Sequence, residues 1–451
     1  MKHPLSKRIH GRVSTSPEDL VCYGFDASGL EGSAAVVVWP DDVQDVVEIV
    51  NYARSQRIPL VPRGAGTGMT GGSVPGRDAI VISMERMNRI LEIDRENMNV
   101  LVEPGVINGV LQEELARLGL FYPPDPASMH TCTIGGNVAE NAGGPRAVKY
   151  GVTRDYVMGL EVVLPDGSII NTGVKTAKGV VGYDLTRLLV GSEGTLGIVT
   201  RIRLKVLPVP EDVITLLVLF NDLEKAGASV SAILQQGIIP RTMEFMDREA
   251  IRAVENYKPV GLPVDVEALL LIELDGPPLV IKKDAERITA LCSAEGGSII
   301  MAEDEEAREK IWESRRSISP ALFHIKPTKI NEDIVVPRNR IPQMLVKLRA
   351  LSVESGIPII NFGHAGDGNI HVNIMADRNN KEEFEKATAL VREVFRITLE
   401  LGGTISGEHG VGLTKMDYIG MELRPAEIEL MKRIKQAFDP LNILNPGKCF
   451  P

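Results

Sequence analysis

Three glycine-dense stretches in the first 200 residues limit what this chain can fold into. They are "PLVPRGAGTGMTGGSVPG" (59–76), "PPDPASMHTCTIGGNVAENAGG" (123–144) and "LLVGSEGTLGIVT" (188–200). The first satisfies G-x-G-x-x-G through Gly66, Gly68 and Gly71. A dinucleotide-binding βαβ unit needs such a loop to open a helix, so that a pyrophosphate meets the helix N-terminus. Here the loop runs into a strand, "AIVIS" at 79–83, so that fold is not expected. Successive residues without side chains can instead turn their N–H groups inward as an anion-binding nest. Arg63 adds a fixed charge beside it.

The segments around these loops mix short strands and helices. "AAVVVWP" (34–40) reads as a buried strand ended by proline. "DDVQDVVEIVNYARSQRI" places Val43, Val46, Val47, Val50 and Ala53 at helical spacing behind an aspartate N-cap. "NVLVEPG" and "INGVLQEELARLGL" predict a further strand and helix. The prolines of "KVLPVPED" (205–212) mark a boundary. Beyond it, "VITLLVLF", "EALLLIEL" and "PIINFG" alternate with long helices, the pattern of an α+β domain. The tail, 416–451, is helical and ends "FDPLNILNPGKCF". The expected division is 1–207, 208–414 and 415–451.

Bulk properties remove several function classes. At 451 residues the chain exceeds what one core supports. A net charge of −10 lacks the basic footprint of a nucleic-acid partner. No apolar run approaches the roughly 20 residues of a membrane span, and the N-terminus does not read as a secretory signal. Cys22, Cys132, Cys292 and Cys449 are widely separated and form no C-x-x-C. That argues against a disulfide framework, an iron–sulfur cluster and a thiolate zinc site, and for isolated thiols in a reducing cytoplasm.

Three of the seven histidines fall in two compact motifs, "GHAGDGNIHVN" (363–373) and "SGEHGVG" (406–412). "IPIINF" and "IHVNIM" read as strands joined by the turn "GHAGDGN". His364 then ends one strand, and His371 and Asn373 project from one face of the next. Two imidazoles across a hairpin, with a carboxylate, make a divalent-metal site with open positions. Glu408 is the third ligand this reading selects.

Together, "PRGAGTGMTGGSVP", "PPDPASMHTCTIGGNVAENAGG", "GSEGTLGIVT" and the tail "NILNPGK" resemble the vanillyl-alcohol-oxidase (PCMH-type) FAD-linked oxidase family. The chain is most similar to the branch of that family that holds the D-type glycolate oxidase subunits, D-lactate dehydrogenase and D-2-hydroxyglutarate dehydrogenase. The resemblance implies an α+β fold. It has a two-part FAD-binding domain, a substrate or cap domain on an antiparallel sheet, and a C-terminal helical return. It implies FAD against Arg63, Gly64, Ala65, Gly66, Thr67, Gly68 and Gly72, then Pro124, Asp125, Ser128, Thr133, Gly135, Gly136, Asn141 and Gly143. Glu193, Gly197, Ile198, Val199 and Asn445 complete that set. Some members tether FAD through a histidine in the first loop; none stands here, so FAD is expected to be non-covalent.

The same resemblance implies a zinc, iron or manganese ion on His364, His371 and Glu408, with His409 as catalytic base. Arg315 in "IWESRRSISPALFHIKPTKINEDIVVP" matches the branch's substrate-binding arginine, and a guanidinium suits a carboxylate. Ser319 stands where some members use threonine, Asn373 falls on the substrate side, and Lys329 is a looser match. The implied reaction oxidises a 2-hydroxy acid, glycolate or D-lactate favoured and D-2-hydroxyglutarate the alternative. Electrons would pass to an electron-transferring flavoprotein, an iron–sulfur subunit or a quinone-linked chain. A cytoplasmic protein is implied, peripheral to the inner membrane through a partner, as homodimer or hetero-oligomer. A flavin-free metal hydrolase and a non-catalytic subunit are the readings of other classes.

Overall fold

The computed structural model describes residues 3–451. They form two compact units. One gathers the residues up to Gly143 with Gly151–Val209 and Glu408–Pro451; the other gathers Gly144–Tyr150 and Pro210–Gly407.

The first unit holds two larger sheets. Strands β1 (Arg12–Ser14), β2 (Ala34–Trp39), β3 (Leu60–Arg63) and β4 (Ala79–Ser83) lie in the order β1-β2-β4-β3. The β2–β4 and β4–β3 pairs are parallel. Both faces of β2 are covered, which is why it reads as an unbroken apolar run. Val36 and Val38 pack with Val46, Ile49, Val50 and Ala53 of helix α1 (Val43–Gln56). Val37 and Trp39 pack on the other side with Val61 and Val81. Helix α1 starts at Asp42, whose carboxylate accepts the N–H groups of Gln44 and Asp45 at 2.9 and 3.0 Å. It stops at Arg57, which adopts φ 54°.

Parts of the glycine stretches are not loops. Leu60–Arg63 is strand β3; it is an edge strand, where Pro62 and its missing N–H are tolerated. The second sheet is antiparallel: β5 (Ile90–Asp94), β6 (Asn99–Val102), β7 (Val157–Val163), β8 (Ile169–Gly173) and β9 (Ile198–Lys205), ordered β5-β6-β9-β7-β8. Within 123–144 lies helix α2 (Ile134–Glu140), capped by Thr133, whose Oγ1 accepts the Gly136 N–H at 3.1 Å. It ends at Asn141, φ 56°. Its glycines are poor helix formers, but a Cβ at Gly135 would meet Pro104 Cβ at 2.5 Å. After the helix Pro425–Phe438 the tail returns to β3: Leu60 N–H donates to Ile443 O, and Asn445 N–H to Leu60 O, both at 2.7 Å.

The second unit is built on one antiparallel sheet of seven strands. In chain order its elements are β10 (Asp212–Phe220), α3 (Leu223–Gln235), β11 (Thr242–Asp247), α4 (Arg248–Tyr257), β12 (Ala268–Gly276), α5 (Pro278–Ala294) and β13 (Ser298–Met301). Then come α6 (Glu305–Arg316), α7 (Ile318–Leu322), β14 (Thr328–Val335), α8 (Ile341–Ser355), β15 (Ile359–His364), β16 (Asn369–Ala376) and α9 (Lys381–Glu400). The strand order is β13-β10-β12-β11-β15-β16-β14. Helices α3, α5, α8 and α9 contact one another in one layer, and α4, α6 and α7 in another. With helices on both faces, β10, β12, β15 and β16 are apolar or buried almost throughout. Leu217, Leu271, Phe362 and Met375 meet Ile251, Val254, Ile318 and Leu322 on the α4–α7 side. No helix among the described residues is long and apolar enough to cross a membrane.

Candidate functional site: a glycine-walled cleft and a buried imidazole pair

A cleft opens in the first unit where the three glycine stretches converge. Arg63–Gly68, Gly72, Ser128, Thr133, Gly135, Gly136, Gly143, Glu193, Gly197, Ile198 and Val199 line it. Glu408 and His409 line it too, their nearest ionisable atoms 4.0 Å apart. Several of its glycines cannot carry a side chain: a Cβ at Gly64 would lie 2.3 Å from Thr133 Oγ1. Gly66 turns with φ 70°, and a Cβ there would strike the Arg63 guanidinium. A glycine-rich lining of this kind leaves main-chain N–H groups accessible to the phosphates of a dinucleotide.

Several implied FAD contacts lie off the cleft wall. Pro124 O accepts from the amides of Asn108 and Gln112, and Asp125 is near it in the chain. Asn141 Oδ1 accepts the Arg154 N–H at 2.9 Å. Asn445 is buried and donates to Gly72 O and Glu193 O, each at 2.8 Å, so it braces the wall from behind. Arg63 is also engaged: its Nη1 donates to Phe25 O at 2.6 Å, and burial lowers its pKa despite Asp26 and Glu85.

Glu140, Ser73, Met84 and Ser192 line the cleft without having been singled out in the sequence. Burial and the nearby Glu193 push the Glu140 carboxyl well above its usual range. Burial also raises Glu193, although the Val411 and Gly412 N–H groups donate to it at 2.8 and 2.7 Å. Lys448 is pulled down to about 8 by burial, against the pull of Asp26, Glu193 and Glu140.

In the second unit a polar row crosses one face of the sheet. The register sets Glu244 opposite His364, Phe362 opposite His371, His371 opposite Asp333, and Asn373 opposite Asn331. Residues opposite or two apart share a face. His364 and His371 thus meet there, with Nε2 atoms 3.4 Å apart and rings at 85°. Two nitrogens about 2.0–2.1 Å from one tetrahedral ion lie about 3.3–3.4 Å apart, so this spacing fits a shared divalent metal. Each outer nitrogen faces a carboxylate. His364 Nδ1 is 2.6 Å from Glu244 Oε1, and His371 Nδ1 is 3.8 Å from Asp333 Oδ1. Such partners orient metal-binding imidazoles. Asp333 is held by Asn369 Nδ2 at 2.6 Å and by the Gly407 N–H at 2.9 Å. Glu408 follows Gly407 in the chain.

The implied substrate residues share this face or its covering helices. Arg315 Nε donates to Glu244 Oε2 at 2.8 Å, and its guanidinium lies 4.7 Å from the centre of the Phe362 ring. Burial alone would raise the Glu244 carboxyl, but His364 and Arg315 outweigh it and hold the carboxyl below its usual range. Lys329 Nζ donates to Ser319 Oγ at 2.6 Å, and burial pulls its ammonium down to about 8. Asn373 is fully buried. Its Nδ2 donates to Ile360 O and His371 O, and its Oδ1 accepts from Asn331 Nδ2 at 2.8 Å. Asn331 Oδ1 is buried with no partner, and this residue was not singled out in the sequence.

Comparison with known proteins agrees with the fold and with an FAD-binding domain. The FAD binding domain model matches 34–173, and the model for the C-terminal domain of FAD linked oxidases matches 209–449. The chain belongs to the FAD-linked oxidase family. It is 47% identical over 430 residues to "glycolate oxidase subunit GlcD" of Bacillus subtilis (strain 168), covering 95% of this chain and 92% of that one. It is 38% identical to the D-lactate dehydrogenase of Anaerostipes hadrus, covering 97% and 95%. It is 33% identical to the D-2-hydroxyglutarate dehydrogenase of Stutzerimonas stutzeri (strain A1501), covering 98% and 96%. The structure of p-cresol methylhydroxylase with substrate bound shares the fold, with a TM-score of 0.81 at 19% identity, covering 97% and 93%.

Proposed function

We propose that the chain is an FAD- and divalent-metal-dependent dehydrogenase. It converts a small 2-hydroxy acid, glycolate or D-lactate favoured, to the 2-oxo acid, with D-2-hydroxyglutarate the alternative. The observation that carries this reading is the buried His364–His371 pair with its Nε2 atoms 3.4 Å apart, in a chain that also carries an FAD-binding domain. The names of the relatives support the substrate class.

Non-covalent FAD, when bound along the glycine stretches, supplies the acceptor for a hydride from C2. His364, His371 and Glu408 would hold a divalent ion, which would supply a Lewis acid for the substrate hydroxyl. The chain's own residues do the rest. His409 takes the hydroxyl proton on its ring nitrogen. Arg315 receives the carboxylate on the end of its guanidinium that Glu244 does not use. Lys329 and Ser319 add a half-buried donor pair toward the rest of the substrate. Asn373 acts through the sheet, holding the strand that carries His371. With no C-x-x-C in the chain, electrons go on to a separate protein or quinone-linked acceptor, a role that suits a subunit of a larger oxidase.

His409→Ala tests the base. FAD absorbance is expected to persist, and substrate-driven flavin bleaching in the absence of oxygen is expected to slow by at least about 100-fold. Unchanged bleaching would remove His409 from the reaction.

A further inference from the structure

We propose that Glu244 is a positioning residue for two ligands at once: it selects the tautomer in which His364 binds the metal, and it seats Arg315 for the substrate carboxylate. This rests on the metal reading given above.

Glu244 on β11 stands directly opposite His364 on β15, with its side chain fully buried. Oε1 lies 2.6 Å from His364 Nδ1, and Oε2 accepts from Arg315 Nε at 2.8 Å. The guanidinium can only donate, so the carboxylate is an acceptor on that side. The acceptor on the other side calls for a hydrogen on Nδ1. In a neutral imidazole that leaves Nε2 with its lone pair. Nε2 is the atom turned toward His371. The tautomer a metal needs is thereby fixed before any metal arrives.

The second grip is equally specific. Helix α6 places Trp312 and Arg315 three residues apart, on one side of the helix. Trp312 Nε1 donates to Glu273 Oε1 at 2.9 Å, while Arg315 reaches Glu244 on the next strand. Phe362 lies under the guanidinium. Fixed at Nε and on one ring face, Arg315 keeps its two terminal nitrogens for a carboxylate. One buried glutamate thus links the two halves of substrate recognition. The counterpart on the other imidazole is looser: Asp333 is 3.8 Å from His371 Nδ1 and is occupied by Asn369 and Gly407.

The test uses the full chain with FAD bound, stripped of metal by chelation and titrated with Co²⁺ under visible absorption. Wild type is expected to give the ligand-field bands of a His-containing site. Glu244→Gln keeps size but can offer an N–H to Nδ1. It is expected to lower Co²⁺ affinity about 10–100-fold and to raise KM for glycolate or D-lactate, with FAD content and melting temperature near wild type. Arg315→Ala is expected to raise KM alone. Glu244→Gln with wild-type Co²⁺ affinity overturns the proposal, whereas wild type that binds no Co²⁺ overturns the metal reading itself. Should Glu244→Gln fold poorly, ¹⁵N-histidine spectra of metal-free wild type, assigned with His364→Gln, decide instead. His364 protonated at Nδ1 supports the proposal, and protonated at Nε2 contradicts it.

Discussion

The cleft of the first unit and the imidazole face of the second are both announced by glycines, yet the glycines do different work. Around Gly64 and Gly66 they remove side chains so that main chain becomes the wall. Around His364 they make a turn: Gly368 has φ 94°, and a Cβ there would meet Val336 O at 2.1 Å. The working groups beside that turn are side chains on strands, each imidazole backed by a carboxylate. The first region therefore recognises by shape and main-chain donors. On the proposed reading the second would recognise by charge and coordination. Substitutions should separate the two.

The largest expected effect is on the side-chain site. His371→Ala removes one imidazole and is expected to cut the rate of substrate-driven flavin bleaching by about 1,000-fold or more, with the flavin spectrum retained. Loss of FAD from this variant would break the separation. Next comes the main-chain wall. Gly64→Val drives a side chain into Thr133, the cap of α2. It is expected to weaken FAD binding about 100-fold by fluorescence titration while Co²⁺ binding changes little.

A smaller effect comes from pH. Burial holds Lys329 at about 8. It is charged below that value and neutral above it, so its attraction for an anionic substrate is present at neutral pH and lost as pH rises through about 8. KM should climb there, and Lys329→Met should flatten the climb. The smallest effect is at Glu140, whose carboxyl is raised by burial and by Glu193. A raised carboxyl stabilises its surroundings while protonated, and that contribution is lost as pH rises through the raised value. Glu140→Gln, neutral at every pH, is expected to keep FAD affinity within about threefold below the raised value and to lessen the decline as pH rises through it.

The sequence made the hairpin legible because it combines period-two strands with turn residues, and register then forces His364 and His371 onto one face. It made α1 and β2 legible through periodicity and an aspartate cap. Strand β3 and helix α2 were hidden by their prolines and glycines, whose local preferences point to loop while the sheet edge and the Thr133 cap decide otherwise. Glu244 could not have been found from spacing: it is 120 residues from His364, and only strand pairing brings them together. The internal role of Asn373 was hidden for the same reason, since its partners Ile360 and Asn331 lie on the two flanking strands.

The central claim joins flavin and metal in the oxidation of a 2-hydroxy acid. Its most direct test is anaerobic mixing of the FAD-loaded protein with glycolate, D-lactate or D-2-hydroxyglutarate, with and without prior chelation. Bleaching of the flavin band near 450 nm by at least one of these acids, abolished by chelation and restored by a divalent ion, is the predicted result. Bleaching that chelation leaves untouched, or none with any of the three, contradicts it.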